Sequence, residues 1–214
     1  MSRYRFEIRP GFPESARADV ARLFWAAFSA KLIKVMGPDA KALAVLTLGL
    51  DPAYCLTAQD PQGRVLGAAG FKTADGAFVG GSMGDYRRVY GLFGGVWRAL
   101  LLSTLEREVA QGCLLMDGIF VAPEARGKGI GTALLHAIKA EARARGQRSV
   151  RLDVIDSNTR ARALYLSQGF EPGGRVTTGP LRHIFGFQSA QTMIWSLPPE
   201  RIRDAASQRI DIDR

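Results

Sequence analysis

Histidine and cysteine are nearly missing from this chain, two of each in 214 residues. Cys55 and Cys113 lie in apolar runs without ligand spacing, and His136 and His183 stand apart, so neither a disulfide framework nor a metal site is expected. Long apolar runs are missing too. The longest stretch, Val89 to Leu105, is interrupted by Arg98 and several glycines and falls short of the roughly 20 apolar residues that span a bilayer. The opening Met1-Ser-Arg-Tyr-Arg-Phe-Glu carries no apolar signal region, so a cytoplasmic protein with no membrane partner is the expectation. There is no internal repeat, low-complexity tract or linker.

Acidic residues are in the minority. Twenty Asp and Glu against 29 Lys and Arg leave a formal charge of +9, which attracts any polyanion: nucleic acid, an anionic membrane or a phosphorylated small molecule. Nucleic acid is not expected, because the basic residues fall neither on a recognition helix with base-reading Asn or Gln nor on strands with stacking aromatics. They crowd instead between Arg126 and Arg162, where many of them would simply solvate helix faces.

What is present suits a globular domain. With 47% hydrophobic and 23% charged residues, the chain can bury a full core as one domain over 1–197, followed by a polar tail at 198–214. Tyr4-x-Phe6-x-Ile8 reads as a first strand stopped by Pro10-Gly11. A helix begins at Pro13-Glu14-Ser15 and ends at Gly37-Pro38, and a second runs from Asp39 to Leu48. Residues 53–58 and 64–72 read as a hairpin. Residues 73–86 read as a glycine-rich loop and 87–110 as a helix with a break near Gly94. Two further strands are expected within 171–197, the last being Gln191 to Leu197.

The segment from Cys113 to Tyr165 carries the chemistry. An apolar run, Cys113 to Val121, leads into Pro123-Glu-Ala-Arg126-Gly127-Lys128-Gly129-Ile130-Gly131-Thr132 and then an amphipathic stretch. A second apolar alternation, Ser149 to Ile155, is followed by Asn158 and Tyr165-x-x-x-Gly169-Phe170. This predicts strand, glycine-rich turn, helix, strand, helix. The turn is an anion site: its glycines allow close backbone approach, and the N–H groups opening the next helix have no internal partners. The order of a Walker loop is absent, and so is the tight glycine turn of the dinucleotide fingerprint.

These residues resemble the GCN5-related N-acetyltransferases (GNAT), whose central motif Gln/Arg-x-x-Gly-x-Gly/Ala is matched at Arg126, Gly129 and Gly131. The approach strand ending Phe120-Val121-Ala-Pro-Glu and the Asn158 to Phe170 segment follow the same family order. The resemblance implies an α/β fold of mixed α+β type: a central, mostly antiparallel sheet whose parallel fourth and fifth strands splay apart, flanked by helices. It departs from the family at 73–110, where a short turn is usual; this insertion could cover the acceptor pocket or form a homodimer contact.

The resemblance also implies transfer of the acetyl group of acetyl-CoA to a primary amine, small molecule or peptide, by direct attack in a ternary complex. The cofactor's arm would lie against the backbone of Ile119, Phe120 and Val121. Its diphosphate would lie on Arg126, Gly127, Lys128, Gly129, Ile130, Gly131 and Thr132. Asn158 would bond the amide arm or serve only as a helix cap. Tyr165, two turns beyond Asn158 on the same face, would be the general acid, a backbone N–H near Ile119 or Val121 the oxyanion donor, and Asp117 the general base, with Asp153, His183 and Glu124 still open. Strand alternation puts Asp117 on the side of Ile119 and Val121 unless a bulge intervenes. Cys113 has no partner placed by motif and is set aside as a nucleophile. Phe24, Trp25 and Phe28 would line the acceptor pocket or belong to the core. The competing reading keeps the fold without the chemistry, as a catalytically inactive CoA-binding sensor or structural homologue.

Overall fold

The computed structural model describes residues 5–104, 108–179 and 182–198, and of His183 only the backbone. Seven strands, β1 (Glu7–Pro10), β2 (Cys55–Gln59), β3 (Val65–Lys72), β4 (Cys113–Val121), β5 (Ser149–Ile155), β6 (Glu171–Thr177) and β7 (Ser189–Ser196), form one sheet. Their order is β1-β2-β3-β4-β5-β7-β6. Every pairing is antiparallel except β4 with β5, which is parallel.

Among the described residues seven α-helices accompany the sheet: α1 (Arg17–Met36), α2 (Asp39–Gly49), α3 (Met83–Tyr90), α4 (Leu92–Ser103), α5 (Ile130–Ala144), α6 (Thr159–Ser167) and α7 (Arg182–Phe185). Each sheet face has its own core. On one, α5 buries Ile130, Leu134, Leu135 and Ile138 against Leu114, Met116, Val150, Leu152 and Val154. This is the helical stripe meeting the strand alternation, and each large aliphatic so buried contributes about 1.5–3 kcal/mol. On the other, α1 and α2 pack Val20, Phe24, Val45 and Leu46 onto Cys55, Val65, Ala68 and Phe120. Among the described residues no helix is long and apolar enough to cross a membrane.

Several expectations shift. The first strand is Glu7–Pro10, so Pro10 closes it from inside and the turn falls at Gly11, while Tyr4 lies outside the described residues. The 73–110 segment holds two helices where one is expected. Ser82 and Asp85 form a reciprocal capping box that starts α3 inside the supposed loop. The break comes at Gly91, with φ +78°, rather than Gly94. Gly94 and Gly95 stay inside α4; a Cβ on Gly95 would come within 2.5 Å of the Arg87 backbone, so its absence lets α4 lie on α3. The pair is fastened to the end of α1, where Arg98 Nε donates to Val35 O at 2.7 Å and the Tyr90 hydroxyl donates to Met36 O. These carbonyls are among those a helix end leaves without internal partners. The two strands expected within 171–197 are β6 and β7, but β7 starts at Ser189 and a short helix, α7, lies between them. The tail from 199 onward and Pro180 lie outside the described residues.

The loop before α3 is tied down. Phe78 N–H donates to Phe71 O at 2.9 Å, Asp51 N–H donates to Phe78 O at 2.9 Å, and Gly80 N–H donates to Gly49 O at 3.0 Å. The Phe78 ring fills the space over Gly70, where a Cβ would fall well inside contact distance of the ring. We therefore expect Gly70→Ala to cost about 1–3 kcal/mol by overpacking, a fall in Tm of several degrees checked by calorimetry. An unchanged Tm would mean that Phe78 is free to move.

Candidate active site

Strands β4 and β5 run together only briefly. Their register pairs are Cys113 with Ser149, Leu114 with Val150 and Leu115 with Arg151; beyond these the strands part while each continues, to Val121 and Ile155. The β5-facing edge of β4 from Met116 onward thus has no strand partner, although its other edge stays paired with β3 to Val121. A sheet interior with unmet backbone donors and acceptors is costly unless something else meets them.

The glycine-rich turn sits at the open end of this fork. After β4, a single helical turn at Pro123–Ala125 leads to Arg126–Gly129, all exposed, and then to α5. Gly127 and Gly129 have φ of +75° and +82°, and a Cβ on either would meet nothing within 4 Å. Backbone conformation rather than crowding requires glycine there. No side chain caps α5, and its first backbone bond is Ala133 N–H to Gly129 O, so the N–H groups of Ile130, Gly131 and Thr132 have no carbonyl within the helix. Arg126 Nε donates to Val121 O at 3.1 Å, which ties the loop to the strand. At Gly131 a Cβ would stand 3.6 Å from Leu164, so α6 packs closely on the start of α5.

The other basic residues of this stretch are mostly structural. Lys139 Nζ donates to Gln168 O, Arg143 lies over Trp195, and Arg145 pairs with Glu141 at 2.7 Å. Two open hollows, beside β1 and beside the α2–β2 turn, lie away from the fork.

Asp117 is where the ladder slips. Gly70 pairs with Gly118 but Phe71 pairs with Met116, leaving Asp117 as the extra residue of a bulge. This decides the side it takes. Ile119 and Val121 pack on the α5 core, whereas Asp117 accepts a hydrogen bond from the backbone of Val79, which packs with the α1–α2 core. Solvent reaches the carboxyl group, yet protein surrounds it on most sides. That desolvation raises its pKa to about 6, against the opposing pull of Lys72 and the Val79 bond.

Beside it, Phe24, Phe28, Phe78 and Phe120 form one aromatic group with centroids 4.7–6.4 Å apart. Phe28 crosses Gly118, where a Cβ would lie 2.6 Å from the ring. Trp25 stands outside this group, its indole donating to Asp39 at 3.1 Å.

Tyr165 is on the opposite face, 6% exposed in the α5 core, its ring 5.8 Å from Phe170. Burial alone raises its pKa to about 12, and no hydrogen bond to its hydroxyl is found among the described residues. Asn158 Oδ1 caps α6 by accepting from Ala161 N–H at 3.2 Å, which leaves its NH2 chemically able to donate elsewhere. Of the remaining candidates, Asp153 accepts from Thr192 Oγ1 at 2.5 Å, Glu124 is exposed in the turn after β4, Cys113 is buried, and the His183 side chain lies outside the described residues. No cluster of His, Cys, Asp or Glu suited to a metal is found among the described residues. Sequence reasoning missed Val79, Phe78, Gly118 and Lys72, because no local pattern announces a loop residue that reaches a carboxylate about 40 positions away.

The sequence model of the acetyltransferase (GNAT) family matches residues 18–170. The chain belongs to that family. The matched span of this GNAT acetyltransferase runs from α1 to Phe170, so it includes the fork, the glycine turn, Asn158 and Tyr165. Solved structures share the fold. A GCN5-related N-acetyltransferase from Kribbella flavida is 20% identical with a TM-score of 0.61, covering 90% of this chain and 98% of its own. An N-acetyltransferase from Staphylococcus aureus Mu50 is 16% identical with a TM-score of 0.62, covering 88% and 100%. A ribosomal-protein-alanine N-acetyltransferase from Brucella melitensis is 18% identical with a TM-score of 0.55, covering 89% and 99%. The mixed sheet with parallel fourth and fifth strands, implied by the sequence resemblance, is the sheet observed in this GNAT protein.

Proposed function

We propose that the protein transfers the acetyl group of acetyl-CoA to a primary amine, with donor and acceptor bound together. The observation that carries the reading is the fork between β4 and β5, closed at its open end by a turn whose left-handed glycines and uncapped helix start suit a diphosphate. Ile119, Phe120 and Val121 would present backbone to the pantetheine arm. Arg126 to Thr132 would hold the diphosphate, and Asn158 would donate from its amide. When bound, the cofactor supplies an activated acyl group as a thioester.

The rest is the work of side chains on the two faces of the fork. An amine entering over Phe28 and Gly118 meets the Asp117 carboxylate, which takes its proton directly or through water. With a thioester held there, the freed nitrogen would be placed to bond the acyl carbon as the carbon–sulfur bond is lost, and Tyr165, from the other face, would hold a proton for the departing sulfur. A backbone N–H near Ile119 or Val121 would stabilise the charge that develops on the acyl oxygen.

Calorimetry with CoA, followed by thiol release with a panel of amines, tests this. Binding with amine-dependent release supports it. Binding without release from any amine turns the protein into a CoA sensor, and no binding ends the proposal. Gly129→Ala probes the turn itself: the added Cβ has room but the left-handed backbone costs about 1–2 kcal/mol. We expect roughly tenfold weaker CoA binding together with a fall in Tm of a few degrees, and equal affinity would argue against a diphosphate at this turn.

A further inference from the structure

Lys31 is half-buried near the Asp117 side of the fork and has no use in the chemistry above. It follows Phe28 by one turn of α1, its Nζ 5.6 Å from the centroid of the Phe28 ring and 5.9 Å from that of Phe187. Burial pushes its pKa down, and no carboxylate among the described residues offsets that. A cation drawn partly out of water without an anionic partner costs free energy, and two aromatic rings compensate only in part. Phe28 links it to the fork, because the tip of this ring lies over Gly118, the residue after Asp117. Arg151, in register with Leu115 at the root of the fork, is placed differently: its guanidinium stands 3.8 Å from Asp153. Among the described residues, Lys31 is thus a cation near the fork with no anionic partner.

Resting on the transferase reading, we infer that Lys31 binds a carboxylate of the acceptor, so that the acceptor is an amine carrying an acidic group. Its two ends meet opposite charges. The amino end lies at Asp117 and the carboxylate at Lys31, with the intervening carbons against the Phe28 ring. Because that ring separates the two residues, the acidic group stands several carbons from the amine.

Matched pairs test this: 4-aminobutyrate against 4-aminobutanamide, and 6-aminohexanoate against 6-aminohexanamide, with CoA release followed for the wild type, Lys31→Met and Lys31→Arg. A charge-assisted contact of this kind corresponds to about a tenfold preference in kcat/KM for the acid, carried by KM. Lys31→Met should bring the acid and the amide to near equality while leaving CoA binding and the rate on the amide unchanged. Lys31→Arg should keep most of the preference. No preference in the wild type, or one that survives Lys31→Met, overturns the inference. Turnover of neutral amines but no acid overturns it alone, whereas turnover of no amine removes the transferase reading and this inference with it.

Discussion

Replacing Tyr165 by phenylalanine should slow acetyl transfer by about 10²-fold or more while leaving both CoA affinity and stability close to wild type. The magnitude is that of a lost general acid. The separation of effects comes from the environment of the ring. A buried tyrosine kept for packing ordinarily finds a partner for its hydroxyl, and removing the oxygen then orphans that partner. Here no such bond is found among the described residues, and burial alone raises the phenol's pKa, to about 12. The ring keeps its contact with Phe170 in either form. Steady-state turnover with CoA titration checks the expectation. A phenylalanine variant with wild-type turnover would return Tyr165 to the core and leave the leaving sulfur to be protonated by solvent.

Asp117→Asn should have the second large effect, a loss of about 10²-fold or more in turnover together with a changed pH profile. With its pKa raised to about 6, the wild-type carboxylate is a base above that value, so kcat/KM should climb through pH 6 on its acid limb. The asparagine variant should lose that limb. Stability should move the other way. The folded chain holds the Asp117 proton more tightly than the unfolded chain, so raising the pH from about 4 through 6 favours unfolding, and ionised Asp117 is a standing cost at neutral pH. We expect Asp117→Asn to melt higher than wild type at pH 8 and no higher at pH 4. A variant that is both slow and less stable at pH 8 would point to a structural carboxylate.

The parts of this site that were legible in the sequence are those whose cause is local. Gly127 and Gly129 announce a backbone that other residues resist, and the structure gives both positive φ. The apolar period after Ile130 predicts α5, and the alternation of Val150, Leu152 and Val154 predicts β5. Asn158 before Thr159 is a helix cap in either reading, and caps it. The insertion was only half legible. The Ser82–Asp85 capping box is local but is masked by the glycines around it, and the true break at Gly91 competes with Gly94 and Gly95, of which Gly95 lets α4 pack on α3.

Asp117 shows where such reading stops. Its residue type and its place before the turn are in the sequence, but the face it takes depends on one slipped pairing between β3 and β4, and its raised pKa on protein drawn in around it, with Lys72 and the Val79 backbone opposing. Lys31 is similar, since nothing near it in sequence foretells Phe187 beside it. Outside 73–110 and the short α7, the chain alone determined the order of elements, and it determined the glycine turn and the family they belong to, because backbone preference and side-chain period are properties of neighbouring residues. Only the tertiary structure decided that β4 and β5 part after Leu115 and Arg151, that Asp117 and Tyr165 take opposite faces, and that Lys31 stands beside the aromatic group with no anionic partner among the described residues. Register, desolvation and charge compensation are set by residues that meet only when the chain is folded.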